Sequence, residues 1–109
     1  MVRIEQKGAY CTLHMPSEMT IYTAETLHRE LLETLEKAQD CQIDLTDVNE
    51  IDSAGMQLLM AMNKQCNMKN KPLALINSSA ASTEIFTLFG MQDFLTLQDA
   101  NNIGDNNES

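Results

Sequence analysis

Between Ala24 and about Gln39 apolar residues return every third or fourth position. Ala24, Leu27, Leu31, Leu35 and Ala38 make one stripe with Leu32 at its edge, and Glu25, Arg29, Glu33, Glu36 and Lys37 fall off it. That period predicts an amphipathic helix with Thr23 as its N-cap. Two shorter stretches before it alternate instead. Ile4 to Lys7 and Tyr10 to Met15 read as a hairpin turning at Gly8-Ala9. In the second strand Tyr10, Thr12 and His14 share one face, and Cys11, Leu13 and Met15 the other. Cys41 to Leu45 is a short apolar strand, and the turn-prone Thr46-Asp47 follows it.

Val48 and Ile51 lead into Asp52-Ser53, two good capping residues. A second helix to about Lys69 then buries Met56, Leu59, Met62 or Asn63, and Cys66, and Asn70-Lys71-Pro72 stops it. Leu73 to Ile76 is apolar throughout, as a buried central strand should be. Asn77-Ser78-Ser79 is a loop and cap. Ala81, Ile85, Leu88 and Phe89 mark a third helix, with Gly90 at its C′ position. Phe94 to Leu97 has room for one more short strand. The order ββαβαβα, with that final β, is α/β. It predicts a mixed sheet of four to five strands with right-handed crossovers and helices packed on it. Residues 1–100 form one domain, and the polar, acidic run 101–109 reads as a disordered tail.

Composition narrows the possible functions. The chain has 109 residues, enough for one core but not for a second domain or a deep cleft. With no Trp and eight Met, the core must be aliphatic with Met filling gaps. A net charge of −9 argues against nucleic acid and anionic membrane surfaces and suits a partner with a basic face. Cys11, Cys41 and Cys66 have neither disulfide-framework nor zinc spacing, so they read as small apolar residues in a reducing cytosol. No apolar run is long enough to insert in a membrane, and the N-terminus lacks the apolar run of a signal peptide. The expected location is the cytoplasm.

Catalytic signatures are missing. The sequence has no GxxxxGK[ST] loop, no GxGxxG fingerprint and no GxSxG elbow, and so no cofactor motif. His14 and His28 have no partner nearby in sequence. The expectation is a binding protein without catalytic residues, cofactor or metal.

The most informative stretch runs from Ile43 to Leu59. It reads as strand, loop and helix N-terminus, with Ser53 at or just inside that terminus and partly exposed. Ala54 and Gly55 have almost no side chain, so another surface can approach closely there. Two roles for Ser53 are open. As an N-cap it would contribute ~1 kcal/mol. As a phosphoacceptor it would gain a charge of roughly −1.5 to −2, beside Asp44, Asp47, Glu50 and Asp52, and a partner docked there would be expelled.

Asp44-Leu45-Thr46-Asp47-Val48, followed by Ile51-Asp52-Ser53-Ala54-Gly55-Met56 and Leu58-Leu59, resembles the signature loop and helix of STAS domains. These include bacterial anti-sigma factor antagonists. Their pattern is an apolar strand ending in Asp/Asn-Leu, a short loop, then Asp-Ser-x-Gly-Leu. Thr23 to Leu27 is similar to the start of that family's first helix, and Ser79 to Met91 to its third. The resemblance spans about Ile4 to Leu97.

It implies a small αβ fold whose Ser53 is phosphorylated by an anti-sigma factor with serine kinase activity. A PP2C-type phosphatase reverses the modification, and the protein acts as a partner switch in transcription regulation. It implies a binding face of Asp52, Ser53, Ala54 and Gly55, bordered by Thr20 and Ile21 and extended along the helix by Gln57 and Met60. Met60 is expected off the buried stripe and Met56 in the core. Many antagonists carry Gly-Glu-Leu-Asp where this chain has Ser17-Glu18-Met19-Thr20. The run Met19 to Ala24 is also similar to STAS proteins of chemotaxis-type signalling. A related alternative is a constitutive adaptor in a chemosensory complex or a lipid ABC transporter.

Overall fold

A computed structural model describes residues 2–37 and 40–95. Among these, β1 (Arg3–Lys7) and β2 (Tyr10–His14) form the hairpin, followed by β3 (Glu18–Met19) and α1 (Ala24–Lys37). Then come β4 (Asp40–Asp44), β5 (Glu50–Ile51), α2 (Ser53–Met68), β6 (Leu73–Ile76) and α3 (Ala80–Leu88). The main sheet has the order β1-β2-β4-β6. β1 runs antiparallel to β2, whereas β2-β4 and β4-β6 are parallel. The α/β order and the mixed four-stranded sheet match the reading of the sequence.

Register explains the two faces of that sheet. Cys11, Cys41 and Leu73 are aligned, as are Leu13, Ile43 and Leu75. All six are buried in one cluster with Leu27 and Leu31 of α1, Leu59 and Met62 of α2, and Phe86 of α3. The opposite face carries Tyr10, Thr12, His14, Gln42 and Asp44. There Tyr10 Oη donates to Gln42 Oε1 (3.2 Å), and Gln42 Nε2 donates to Thr12 Oγ1 (3.0 Å). The three cysteines are buried free thiols. Burial and the neighbouring Cys11 push the Cys41 thiol up to about 12. No helix among the described residues is long and apolar enough to cross a membrane.

The structure departs from the sequence reading in several places. β3 and β5 were not expected; they pair in parallel as a separate small sheet, Glu18 with Glu50 and Met19 with Ile51. Two residues are too few to show any periodicity. The final strand does not begin at Phe94. Gln92–Phe94 is a 3₁₀ turn. The amides of Phe94 and Leu95 donate to Met91 O and Gln92 O (both 3.0 Å), which occupies the donors a ladder would need. Thr96 and Leu97, the end of the first helix at Ala38-Gln39 and the tail 101–109 lie outside the described residues. In α3 the buried face is Ser82 and Phe86, while Leu88 and Phe89 are exposed. Gly90 does follow the helix, with φ +69°.

Candidate functional site

The N-terminus of α2 meets the loop before α1, and backbone chemistry holds the two together. Asp52 is the N-cap of α2. Its Oδ1 accepts from the amides of Ala54 (2.9 Å) and Gly55 (3.1 Å), two of the donors a helix start leaves unpaired. Its Oδ2 accepts from the Ile21 amide (3.0 Å), 31 residues away in sequence. The Asp52 amide in turn donates to Met19 O (3.3 Å). The Ile21 amide, with those of Gly55 and Ala54, holds the Asp52 carboxyl below its usual range despite an opposing effect of burial.

Gly55 makes this contact possible. A Cβ on Gly55 would stand 2.1 Å from Met19 O and 3.0 Å from Ile51 Cγ1. The close approach that the small residues permit is therefore made by this chain's own loop. Gly55 is buried, whereas Ala54 is half-exposed.

Ser53 is the first residue of α2 and is exposed. Asp52 does the capping, so the Ser53 hydroxyl is not spent on the helix and forms no hydrogen bond to a described residue. Gln57, one turn on, is exposed; Met60 is half-buried against the core rather than exposed, because α2 buries Leu58 and Leu59 as well as Met56 and so turns a broad face inward. Thr20 is buried beneath the loop. Its Oγ1 donates to Glu18 Oε2 (2.6 Å) and accepts from the Tyr22 amide (3.2 Å). Thr23 occupies the position before α1, but its hydroxyl turns back to accept from the Thr20 amide (3.0 Å). These bonds leave Ile21 and Tyr22 on the outside, at 68% and 88% exposure. Sequence pattern alone does not mark Tyr22. An isolated Ile-Tyr pair between polar residues carries no burial signal.

The structure also gives His14 partners that sequence distance concealed. His14 Nε2 lies 2.9 Å from Glu5 Oε1, and Nδ1 lies 3.2 Å from Asp44 Oδ2. Asp44 is buried and accepts from the Thr46 amide and hydroxyl. Burial raises its carboxyl, but hydrogen bonds from Thr46 and Asn77, with His14 nearby, outweigh that and leave it below the usual range. Asp44 ties the start of the β4–β5 connection to the sheet. It does not join Ser53 in one cluster.

Comparison with known proteins places this arrangement. A family model described as "Mlab, STAS domain" matches residues 2–98. An anti-sigma-B factor antagonist of Bacillus subtilis (strain 168) is 25% identical over 96 residues, 88% of each chain. Among solved structures, a putative anti-sigma factor antagonist from Thermotoga maritima superposes with TM-score 0.79 at 15% identity, over 97% of this chain and 92% of that one. The anti-sigma factor antagonist SpoIIAA superposes in its unphosphorylated form with TM-score 0.75 at 12% identity, over 99% and 96%. The phosphorylated form of the Bacillus SpoIIAA gives 0.69 at 12%, over 97% and 98%.

Proposed function

The chain belongs to the STAS domain family, and from that premise we propose that it is an anti-sigma factor antagonist switched by phosphorylation of Ser53. One observation carries the reading: Asp52, not Ser53, caps α2, so an exposed hydroxyl stands at the helix start with no structural duty. A kinase can transfer the γ-phosphoryl group of a nucleoside triphosphate to Ser53 Oγ without unmaking any described hydrogen bond. The phosphoserine carries roughly −1.5 to −2 charges at neutral pH. The adjacent Asp52 carboxylate is already ionised and is occupied by three amides. The added charge therefore faces outward, where a docked protein sits. Binding is lost while the fold persists.

The unmodified protein captures an anti-sigma factor with serine kinase activity, and a PP2C-type phosphatase regenerates it. The docking face is Ser53 with Asp52, Ala54, Gln57 and the edge of Met60, together with Ile21. Thr20 and Gly55 support it from beneath. The protein acts as substrate and switch in the cytoplasm, without a reaction of its own.

Affinity capture from host lysate, comparing wild type with Ser53→Asp, tests the reading. Wild type is expected to bring down an ATPase anti-sigma protein that Ser53→Asp loses, and phosphopeptide mapping is expected to find phosphate on Ser53. Equal capture by both forms, with no phosphate at Ser53, refutes it. That outcome supports the second reading, a constitutive adaptor role.

A further inference from the structure

Ile21 and Tyr22 are an unusual pair to leave in water. They are large, adjacent and apolar, at 68% and 88% exposure. They are also held firmly. Ile21 N donates to Asp52 Oδ2 (3.0 Å), Tyr22 N to Thr20 Oγ1 (3.2 Å), and Thr23 N and Ala24 N to Thr20 O (2.9 and 2.8 Å). A turn whose backbone is already fixed adds no loop-ordering cost when a partner covers its side chains. Aromatic anchors of this kind supply most of the affinity at many interfaces.

The surroundings specify the chemistry of the partner. None of the seven Lys and Arg lies in segments 8–28 or 38–63, the two segments that meet at this site. The same segments hold Glu18, Glu25, Asp47, Glu50 and Asp52. The basic residues of α2 and beyond, Lys64, Lys69 and Lys71, come only at its far end.

Resting on the docking face proposed above, we infer that Tyr22, with Ile21 beside it, is the apolar anchor of that face. Its partner is a protein offering an apolar pocket rimmed by Lys or Arg. Asp52 is then a positioning residue that serves both halves of the face, capping the helix that bears Ser53 and fixing the turn that bears Tyr22. Ser53 then faces the apolar part of the partner, away from its basic rim, where a phosphate meets no Lys or Arg and expels the partner by its bulk and by the desolvation of its charge. Anchor and switch are therefore separable by mutation.

The test places p-benzoylphenylalanine at position 22 of the full chain in host cells. Position 57 serves as a neighbour and position 68, at the far end of α2, as a control. Photo-adducts of one mass are expected at 22 and 57, absent at 68 and lost on adding Ser53→Asp, with the partner's cross-linked segment apolar and flanked by Lys or Arg. With the purified cross-linked partner, Tyr22→Ala is expected to weaken binding about 30-fold and Tyr22→Phe about threefold at most. Raising salt from about 50 to about 500 mM is expected to weaken wild-type binding, and binding unmoved by salt overturns the basic rim. An absent adduct at 22, or one that maps to a second copy of this chain, overturns the inference. Wild-type affinity in Tyr22→Ala alongside lost binding in Ser53→Asp overturns the anchor and leaves the docking face standing. Wild-type affinity in both variants overturns both.

Discussion

Gly55→Ala is the sharpest probe of how this site is built. In most helices the change stabilises, by up to about 1 kcal/mol, because Ala loses less backbone freedom than Gly. Here the new methyl carbon would lie 2.1 Å from the Met19 carbonyl oxygen and 2.9 Å from its carbon. Those contacts fall about 1.4 and about 0.6 Å short of the ~3.5 Å at which unbonded heavy atoms rest. Both are backbone atoms, so no rotamer change relieves them. Either α2 or the Ser17–Thr20 segment must move, and with it the β3-β5 pairing and the Asp52 amide bond to Met19.

Overpacking of this kind costs about 1–3 kcal/mol, with a backbone-limited case at the upper end. Set against the propensity gain, the net loss is about 2 kcal/mol. For a domain near 100 residues that lowers Tm by roughly 8–16 °C. Urea and thermal denaturation followed by circular dichroism measure it, with Ala54→Gly as the control that changes propensity alone. Amide exchange at Ile21 and Asp52 reports whether the loop has lifted. A Gly55→Ala protein as stable as wild type, with unchanged protection at Ile21, refutes the reasoning.

Five further outcomes follow from the same structure. Asp52→Ala removes a helix cap and a long-range tie and is expected to cost about 1–2 kcal/mol by urea denaturation. Asp52→Asn keeps the Oδ1 contacts but points an amide at the Ile21 N–H, so its largest effect is faster exchange at Ile21. Ser53→Ala and Ser53→Asp both leave stability within about 0.5 kcal/mol of wild type, since Asp52 is the cap; a larger loss for Ser53→Ala would mean the hydroxyl has a structural duty. The lowered carboxyls of Asp52 and Asp44 act on acid stability. Their folded values lie below the unfolded ones, so their contribution is complete above about pH 4 and is lost as pH falls through the folded values. Asp52→Asn is accordingly expected to flatten the acid limb of the stability curve measured between about pH 2 and 6. Finally, the buried thiols Cys11, Cys41 and Cys66 are expected to resist Ellman's reagent in the native protein near pH 8 and to react fully in guanidinium; rapid native reaction at Cys41 would contradict its raised thiol value.

Two helices, α1 and α2, were legible because each repeats its burial signal. Leu27, Leu31 and Leu35 come at fixed spacing, and so do Met56, Leu59, Met62 and Cys66; all seven are buried. The strand Leu73–Ile76 was legible from its lack of polar residues. β3 and β5 left no trace, since a two-residue strand is defined by its partner rather than by its pattern. The cap was half-legible. Spacing offered Asp52 and Ser53 equally, and only the direction of the backbone shows that the carboxylate faces the free amides. Leu88 and Phe89 marked a helix by type but lie on its exposed side. The site's long-range parts could not be read from spacing or periodicity, and only the family resemblance set Ile21 beside Asp52. Ile21 to Asp52 and His14 to Asp44 are contacts across about 30 residues, set by topology. Gly55 stands out in the sequence for its small size, but its neighbour is Met19 of the same chain.

The division of labour between Asp52 and Ser53 has a consequence for how such a protein changes over generations. Because the fold draws nothing from the Ser53 hydroxyl, residue 53 can be exchanged for one that accepts no phosphate, or restored, with the scaffold untouched. Under the function proposed above, regulation is thus a detachable trait. A lineage can convert a switched protein into a permanently engaged one, or the reverse, by a single codon. Position 52 has no such latitude, since one carboxylate there holds both the helix and the loop.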